Sequence, residues 1–395
     1  MNYRTQGMVS TGFVGTGSVQ SSEHPFFEFT IRGPSTVTWQ WGTPDIADMP
    51  EWNAPRDLAR NLGGSLVDMK RAADGSPVVA YFSPVDGSIK VGMLYDGAWN
   101  VSSVHSFDSK IDGEPMMEPG SDLSVAIDSN GIPHVLFYDP ASKSLYYAVF
   151  AGSNWAVSVL DDEGDPGAHN AIQIAPGNVP HFAYYRAETG SLVYSTLVDN
   201  VLATEVVDNA ANVGLYVDLA LSPRDSNPRL SYYDATHGDL KCAISDGTDW
   251  EIHVVDASGD VGIESAIAVD PSGTPLIAYQ ENTDGAIQGL RFAFLIDGNW
   301  QLYNLDETNL TGFGIDLAVD PTGNPHVTYH NFDGLYYAFY NGFNWATVLL
   351  QEGELGGTTG LDLDSEGNPG VAYWDGRNLL YVDGKGNSYD LTSSR

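Results

Sequence analysis

A few histidine, tyrosine, arginine and carboxylate side chains are the residues of this 395-residue chain that could carry chemistry. Asp122 and Glu264 could be the acid and base of a glycoside hydrolase. That reaction needs two carboxyl groups, about 5–5.5 Å apart for retention of configuration and about 6.5–9.5 Å apart for inversion. His169 or Tyr216 could be the base of a polysaccharide lyase, with Arg186 neutralising the substrate carboxylate. Asp161, Asp162 and Asp165, in "DDEGDPG", are the calcium candidates; "DLDSEGN" (362–368) clusters carboxylates less suitably. Neither run completes the Asp-x-Asp-x-Asp-Gly series with a distal bidentate glutamate, so Ca2+ is the one cofactor considered and none is required. His134, His181 and His326 each follow a recurring proline and read as turn residues rather than zinc ligands. Cys242 stands alone, which excludes an intramolecular disulfide, and its apolar setting reads as a buried small hydrophobe.

Whether these residues meet depends on the elements that carry them. The phrase "DPSGTPLIAYQ" (270–280) returns as "DPTGNPHVTYH" (320–330), and aligning on its proline gives seven copies, at Pro77, Pro133, Pro180, Pro228, Pro275, Pro325 and Pro369. Each copy reads as four short alternating strands joined by tight turns, the signature of a β-propeller blade. Four residues after each proline stands Tyr81, Phe137, Tyr184, Tyr232, Tyr279, Tyr329 or Tyr373, preceded by a mostly smaller residue such as Ala80, Ala183 or Ala278. Strand side chains alternate between faces, so each sheet has a bulky face to set against the flatter face of its neighbour. Trp99, Trp155, Trp250, Trp300 and Trp345 open the fourth strands and read as hydrophobic plugs; the third copy has Val201 there and the seventh has no counterpart.

The predicted fold is all-β: a seven-bladed propeller of four-stranded antiparallel blades over 63–395, preceded by an extension over 1–62. Within the extension "FFEFTIR" (26–32) and "STVTWQW" (35–41) flank Gly33-Pro34 and predict a hairpin. One of its strands could complete the seventh blade, whose last strand "NSYDLT" is short and polar; alternatively it begins an eighth.

Function on a repeated scaffold lies where the repeat stops repeating. Just past the recurrent aromatic the copies diverge, to Tyr138-Asp139, Tyr185-Arg186, Tyr233-Asp234, Gln280-Glu281, His330-Asn331 and Trp374-Asp375. The first strands are entered through Leu66, Asp122, His169, Tyr216, Glu264, Gly314 and Thr358. Both sets are expected on one rim around the central channel, and the ligand-binding candidates are Tyr138, Asp139, Tyr185, Arg186, Tyr233, Asp234, Gln280, Glu281, His330, Trp374 and Asp375. Aromatic faces beside hydrogen-bonding groups suit sugar rings and their hydroxyls.

Fifty-two acidic side chains against seventeen basic ones give a net charge of −35. Such a surface repels phosphate backbones, which argues against nucleic acid and anionic membranes as partners. It is compatible with cations, neutral sugars, basic proteins or a saline habitat. No apolar run is long enough to span a membrane. The polar Gly/Ser-rich opening has no signal-peptide core, and a leader removed from a protein working outside the cell or on its surface is expected. A monomer is expected.

The pattern "LAVDPTGNPHVTYH…LYYAFYNGFNW" resembles the repeats of secreted bacterial and archaeal propellers. The turn Ser245-Asp246-Gly247-Thr248-Asp249-Trp250 is similar to a shortened Asp-box of sialidase-like propellers. The resemblance covers about 63–395 and implies the fold; sialidase chemistry would also need an arginine trio, which the spacing of Arg71, Arg186, Arg224, Arg229, Arg291 and Arg377 does not single out. The reading that follows is an extracellular binding module for carbohydrate, lectin-like or adhesive. The alternatives are the lyase or hydrolase on the same rim, or a scaffold for a protein ligand.

Overall fold

The computed structural model describes residues 9–15, 37–42, 50–59, 66–107, 110–111, 114–115, 122–283, 286–307, 311–340, 345–353 and 357–385. The seven predicted blades are present as antiparallel sheets, and in the first six the strands follow chain order from the channel outward. The second blade is typical: Leu123–Ile127, Pro133–Asp139, Ser144–Phe150 and Trp155–Asp161. Among the described residues no helix is long and apolar enough to cross a membrane.

Ring closure corrects one expectation. The outer strand of the seventh blade is supplied by Glu51–Trp52 and Arg56–Ala59, which pair with Leu379–Lys385. Residues that the sequence reading placed in the extension are thus built into the propeller, and "NSYDLT" lies outside the described residues. The strand Val37–Gly42 pairs with Val9–Gly15, and the other half of the predicted hairpin, 26–32, lies outside the described residues. Trp52 also supplies the plug missing from the seventh copy: its ring meets Tyr337 edge-on at 5.0 Å. Trp99 on Tyr381, Trp250 on Tyr194 and Trp345 on Phe292 repeat the contact, each from one blade onto the blade before it. The bland reading of the tryptophans holds for these positions.

The recurrent tyrosines do more than fill space. Tyr184, Tyr232, Tyr279 and Tyr329 are fully buried, and each donates its hydroxyl to an aspartate ending the outer strand of the preceding blade. The acceptors are Asp161 (2.7 Å), Asp208 (2.8 Å), Asp256 (2.8 Å) and Asp306 (3.0 Å). A buried carboxylate needs a countercharge, and Arg186 supplies one to Asp161, Lys241 to Asp208 and Arg291 to Asp256. His134, His181 and His326, read from the sequence as turn residues, pair through Nδ1 with Tyr147, Tyr194 and Tyr337 of the adjoining strand. Cys242 is fully buried, and burial pushes its thiol up.

These latches predict a graded response in urea unfolding. Tyr279→Phe keeps the ring but leaves Asp256 short of a donor, for a loss of about 1–2 kcal/mol. Tyr279→Ala also opens a cavity, for about 3–5 kcal/mol. Equal losses from the two variants would show that the hydroxyl and not the ring carries the contact.

Candidate functional site

The seven inner strands surround a central cavity of about 570 Å³. Their register puts Asp68, Asp218 and Asp316 at one level, opposite Ala80, Ser231 and Thr328. Ser124, Ala171, Ala266 and Gly360 fill the same level in the other blades, and Asp362 lies one step along the seventh inner strand. Each aspartate joins two blades. Through one oxygen it accepts the N–H of its own successor, and through the other an N–H of the next blade: Val125 for Asp68, Ile267 for Asp218, Leu361 for Asp316 and Arg71 for Asp362, at 2.6–2.8 Å. Burial pushes Asp218 up to about 6 and Asp316 up to about 7, against the pull of Lys70 and these N–H bonds. Lys70 is the one basic residue lining the cavity; burial works against its ammonium, but Asp68, Asp316, Asp362 and Asp218 hold it charged. Sequence reasoning missed this cluster, although an aspartate in the small-residue register of an otherwise apolar strand was a readable signal.

At the entry end of the inner strands the hydrolase and lyase candidates come together. Asp122, His169, Tyr216 and Glu264 occupy equivalent places in blades two to five. His169 Nδ1 lies 3.1 Å from Asp122 Oδ2, and its ring is 4.5 Å from that of Tyr216. Tyr216 in turn feels the charge of both Glu264 and Asp122, which with burial raises its phenol. Glu264 accepts the N–H of Gly314, the corresponding residue of blade six. Burial pushes Glu264 up to about 7; the Gly314 bond opposes the rise, Asp122 adds to it and His169 reduces it. Tyr216, Glu264 and Gly314 sit at breaks in strand register with φ of 52°, 51° and 55°. Gly314 carries no side chain where a Cβ would collide with the Gly357 carbonyl. A bulky residue at positive φ costs on the order of 1–3 kcal/mol, and such strain clusters at functional sites. Blades four and five bear that cost and project a phenol and a carboxyl. Thr358, in blade seven, is bound through its hydroxyl to both backbone groups of Val67. The polar chemistry is therefore confined to one side of the mouth.

The second-strand ends, expected to face a ligand, are largely committed to the scaffold. Tyr138, Tyr185 and Tyr233 donate to Asp165, Asn212 and Asp260 of the following inter-blade loop, at 2.5–2.6 Å. Asp139 and Asp375 accept backbone N–H groups of the turns they open. Asp234 is fully buried, does the same for Thr236 and binds Lys241 at 2.8 Å. Glu281 is clamped by Arg291 at 2.5 Å, and Gln280 is buried with its amide on the Gly312 carbonyl. His330 is 1 % exposed, with neither ring nitrogen hydrogen-bonded, and burial pulls it down to about 4. The divergent pair that closes the repeated phrase, Gln280 and His330, is thus interior. Trp374 remains partly exposed.

Arg186 is bound to Asp161 at 2.6 Å rather than free to receive a substrate carboxylate. Of the calcium candidates, Asp161 serves Tyr184 and Arg186, and Asp165 serves Tyr138 and Lys143, while Asp162 is exposed. Their oxygens are turned to different partners, and among the described residues no three His, Cys, Asp or Glu side chains converge as a metal site.

No family model matches the chain, and no curated protein matches it. Solved structures do. A polysaccharide lyase, Uly1, superimposes with a TM-score of 0.53 at 10% identity, over 80% of this chain and 89% of that one. YCF48 from Cyanidioschyzon merolae gives 0.51 at 11%, over 84% and 98%. A lectin from Aleuria aurantia in complex with Fucα1-6GlcNAc gives 0.49 at 14%, over 73% and 96%. At these identities the likeness shows the fold and leaves the site to be read from its own residues.

The cavity charges predict a pH-dependent variant. Asp218 and Asp316 bind protons in the folded state before they do so unfolded, so their contribution to stability rises as pH falls from about 7 toward 4. Lys70→Met should lower the melting temperature most at pH 8, where Asp68, Asp218, Asp316 and Asp362 face one another uncompensated, and the deficit should shrink by pH 5. A deficit independent of pH would deny Lys70 its electrostatic role.

Proposed function

We propose that this chain is a carbohydrate-binding recognition module, lectin-like or adhesive and working outside the cell, that holds its ligand at the mouth of the channel. The observation that carries the reading is the cluster of Asp122, His169, Tyr216 and Glu264, drawn from four successive blades to one side of the mouth. Tyr216, with the buried His169 ring packed against it, offers a flat apolar face to a pyranose, and the two carboxyl groups offer acceptors to its hydroxyls. A binder requires no more than this.

A second reading is favoured by one feature: Glu264, held up to about 7, keeps a proton that a glycoside hydrolase would need in its general acid, with Asp122 as the partner carboxylate. The lyase reading loses support, because the guanidinium it calls on is already paired with Asp161.

A glycan array run beside reducing-end and unsaturated-product assays separates these readings. Binding without turnover is expected. In titration calorimetry with a glycan from the array, Asp122→Asn should weaken binding about 10- to 100-fold, the range for losing a charged hydrogen-bond acceptor. Tyr216→Ala should weaken it by a comparable factor. Turnover abolished by Glu264→Gln would establish the hydrolase instead, and silence on the array would leave a protein ligand as the partner to seek.

A further inference from the structure

We propose that the mouth selects sugars bearing a protonated amine, such as glucosamine oligomers, over their N-acetylated and uronic acid counterparts. The inference rests on the carbohydrate-binding reading above and adds a charge requirement to it. Its basis is the distribution of countercharges. Four of the basic residues described near the blade ends are closed in ion pairs: Arg186 with Asp161, Lys241 with Asp208 and Asp234, Arg291 with Asp256 and Glu281, and Lys143 with Asp165. Lys70 faces the four aspartates of the cavity. Among the described residues Asp122 and Glu264 are left at the mouth with the His169 imidazole as their one basic neighbour.

Asp122 also lines the cavity, so the mouth opens onto the field of Asp68, Asp218, Asp316 and Asp362. An acidic, partly buried concavity raises the local concentration of cations and excludes anions. A uronate would enter with its charge unpaired. An ammonium would find acceptors on two carboxyl groups, with Tyr216 beside them as a face for cation–π contact.

Glu264 gives this selection its own signature. The groups that face it are Asp122, His169, Tyr216 and the Gly314 N–H. Near neutral pH it is shared between its acid and carboxylate forms. An arriving ammonium favours the carboxylate, so binding converts the carboxylic acid and the free ammonium into a carboxylate–ammonium pair and releases one proton to the buffer from each molecule that held it. A neutral sugar brings no charge to drive that release.

The test is isothermal titration at pH 7 with three tetramers, of β1,4-linked glucosamine, its fully N-acetylated form and galacturonate, each in two buffers of different ionisation enthalpy. The glucosamine tetramer should bind at least about tenfold more tightly than the acetylated one at low salt, and the ratio should fall on adding salt as screening weakens the attraction. Proton release should accompany the glucosamine tetramer and vanish in Glu264→Gln. Circular dichroism and melting of that variant show that the fold persists; if it melts early, the buffer dependence in the parent protein still decides. Equal affinity for the two forms without proton release overturns the amine requirement and leaves carbohydrate binding standing. Tighter binding of galacturonate overturns it as well. No binding of these tetramers, or of any glycan on the array, removes both readings.

Discussion

Carboxylates that reach from one blade to the next are the constraint on which the rest of this structure depends. At the channel, Asp68, Asp218, Asp316 and Asp362 each tie a neighbouring inner strand through its backbone N–H. Farther out, Asp161, Asp208, Asp256 and Asp306 each receive the tyrosine of the following blade. Burying an ionised carboxylate is unfavourable unless it is paired and hydrogen-bonded. The chain meets that condition twice over, and in doing so fixes the angle between sheets that apolar packing alone would leave more adaptable. Seven sheets so fixed bring the entry ends of their inner strands to one mouth.

The same constraint explains the disposition of charge. With fifty-two acidic residues and seventeen basic ones, positive charge is scarce. Arg186, Lys241 and Arg291 are spent on the inter-blade aspartates, and Lys70 on the cavity. What remains at the mouth is acidic and aromatic, a chemistry that follows from which cations the scaffold consumes. It accounts for the contrast between the two sets of rim residues. The second-strand ends are absorbed by turns and latches, whereas Asp122, His169, Tyr216 and Glu264 face one another.

Much of the fold was legible because a propeller repeats its instructions. The proline phrase, the alternation of Tyr184 with Ala183 and the recurring tryptophans each state the same rule in successive copies, and local patterning agrees with the global arrangement. Closure was harder to read. The outer strand of the seventh blade comes from 51–59, more than three hundred residues from its partner, and no local pattern encodes that pairing. Of the extension, Val37–Gly42 pairs with Val9–Gly15, a partner that alternation alone did not single out. Reading divergence as function selected Asp122, His169, Tyr216 and Glu264, which the fold brings to one side of the mouth. It also selected Gln280 and His330, whose side chains are buried, because divergence marks any position free of the repeat, interior ones included.

The claim that the entry end of the inner strands is where a ligand sits is tested most directly by selectively labelling histidine and tyrosine and following their resonances during titration with a bound glycan. The account predicts that His169 and Tyr216 shift first and furthest, while His181 and His326, at the opposite ends of the strands, stay in place. Shifts centred on His181 and His326, with His169 and Tyr216 unmoved, would contradict it.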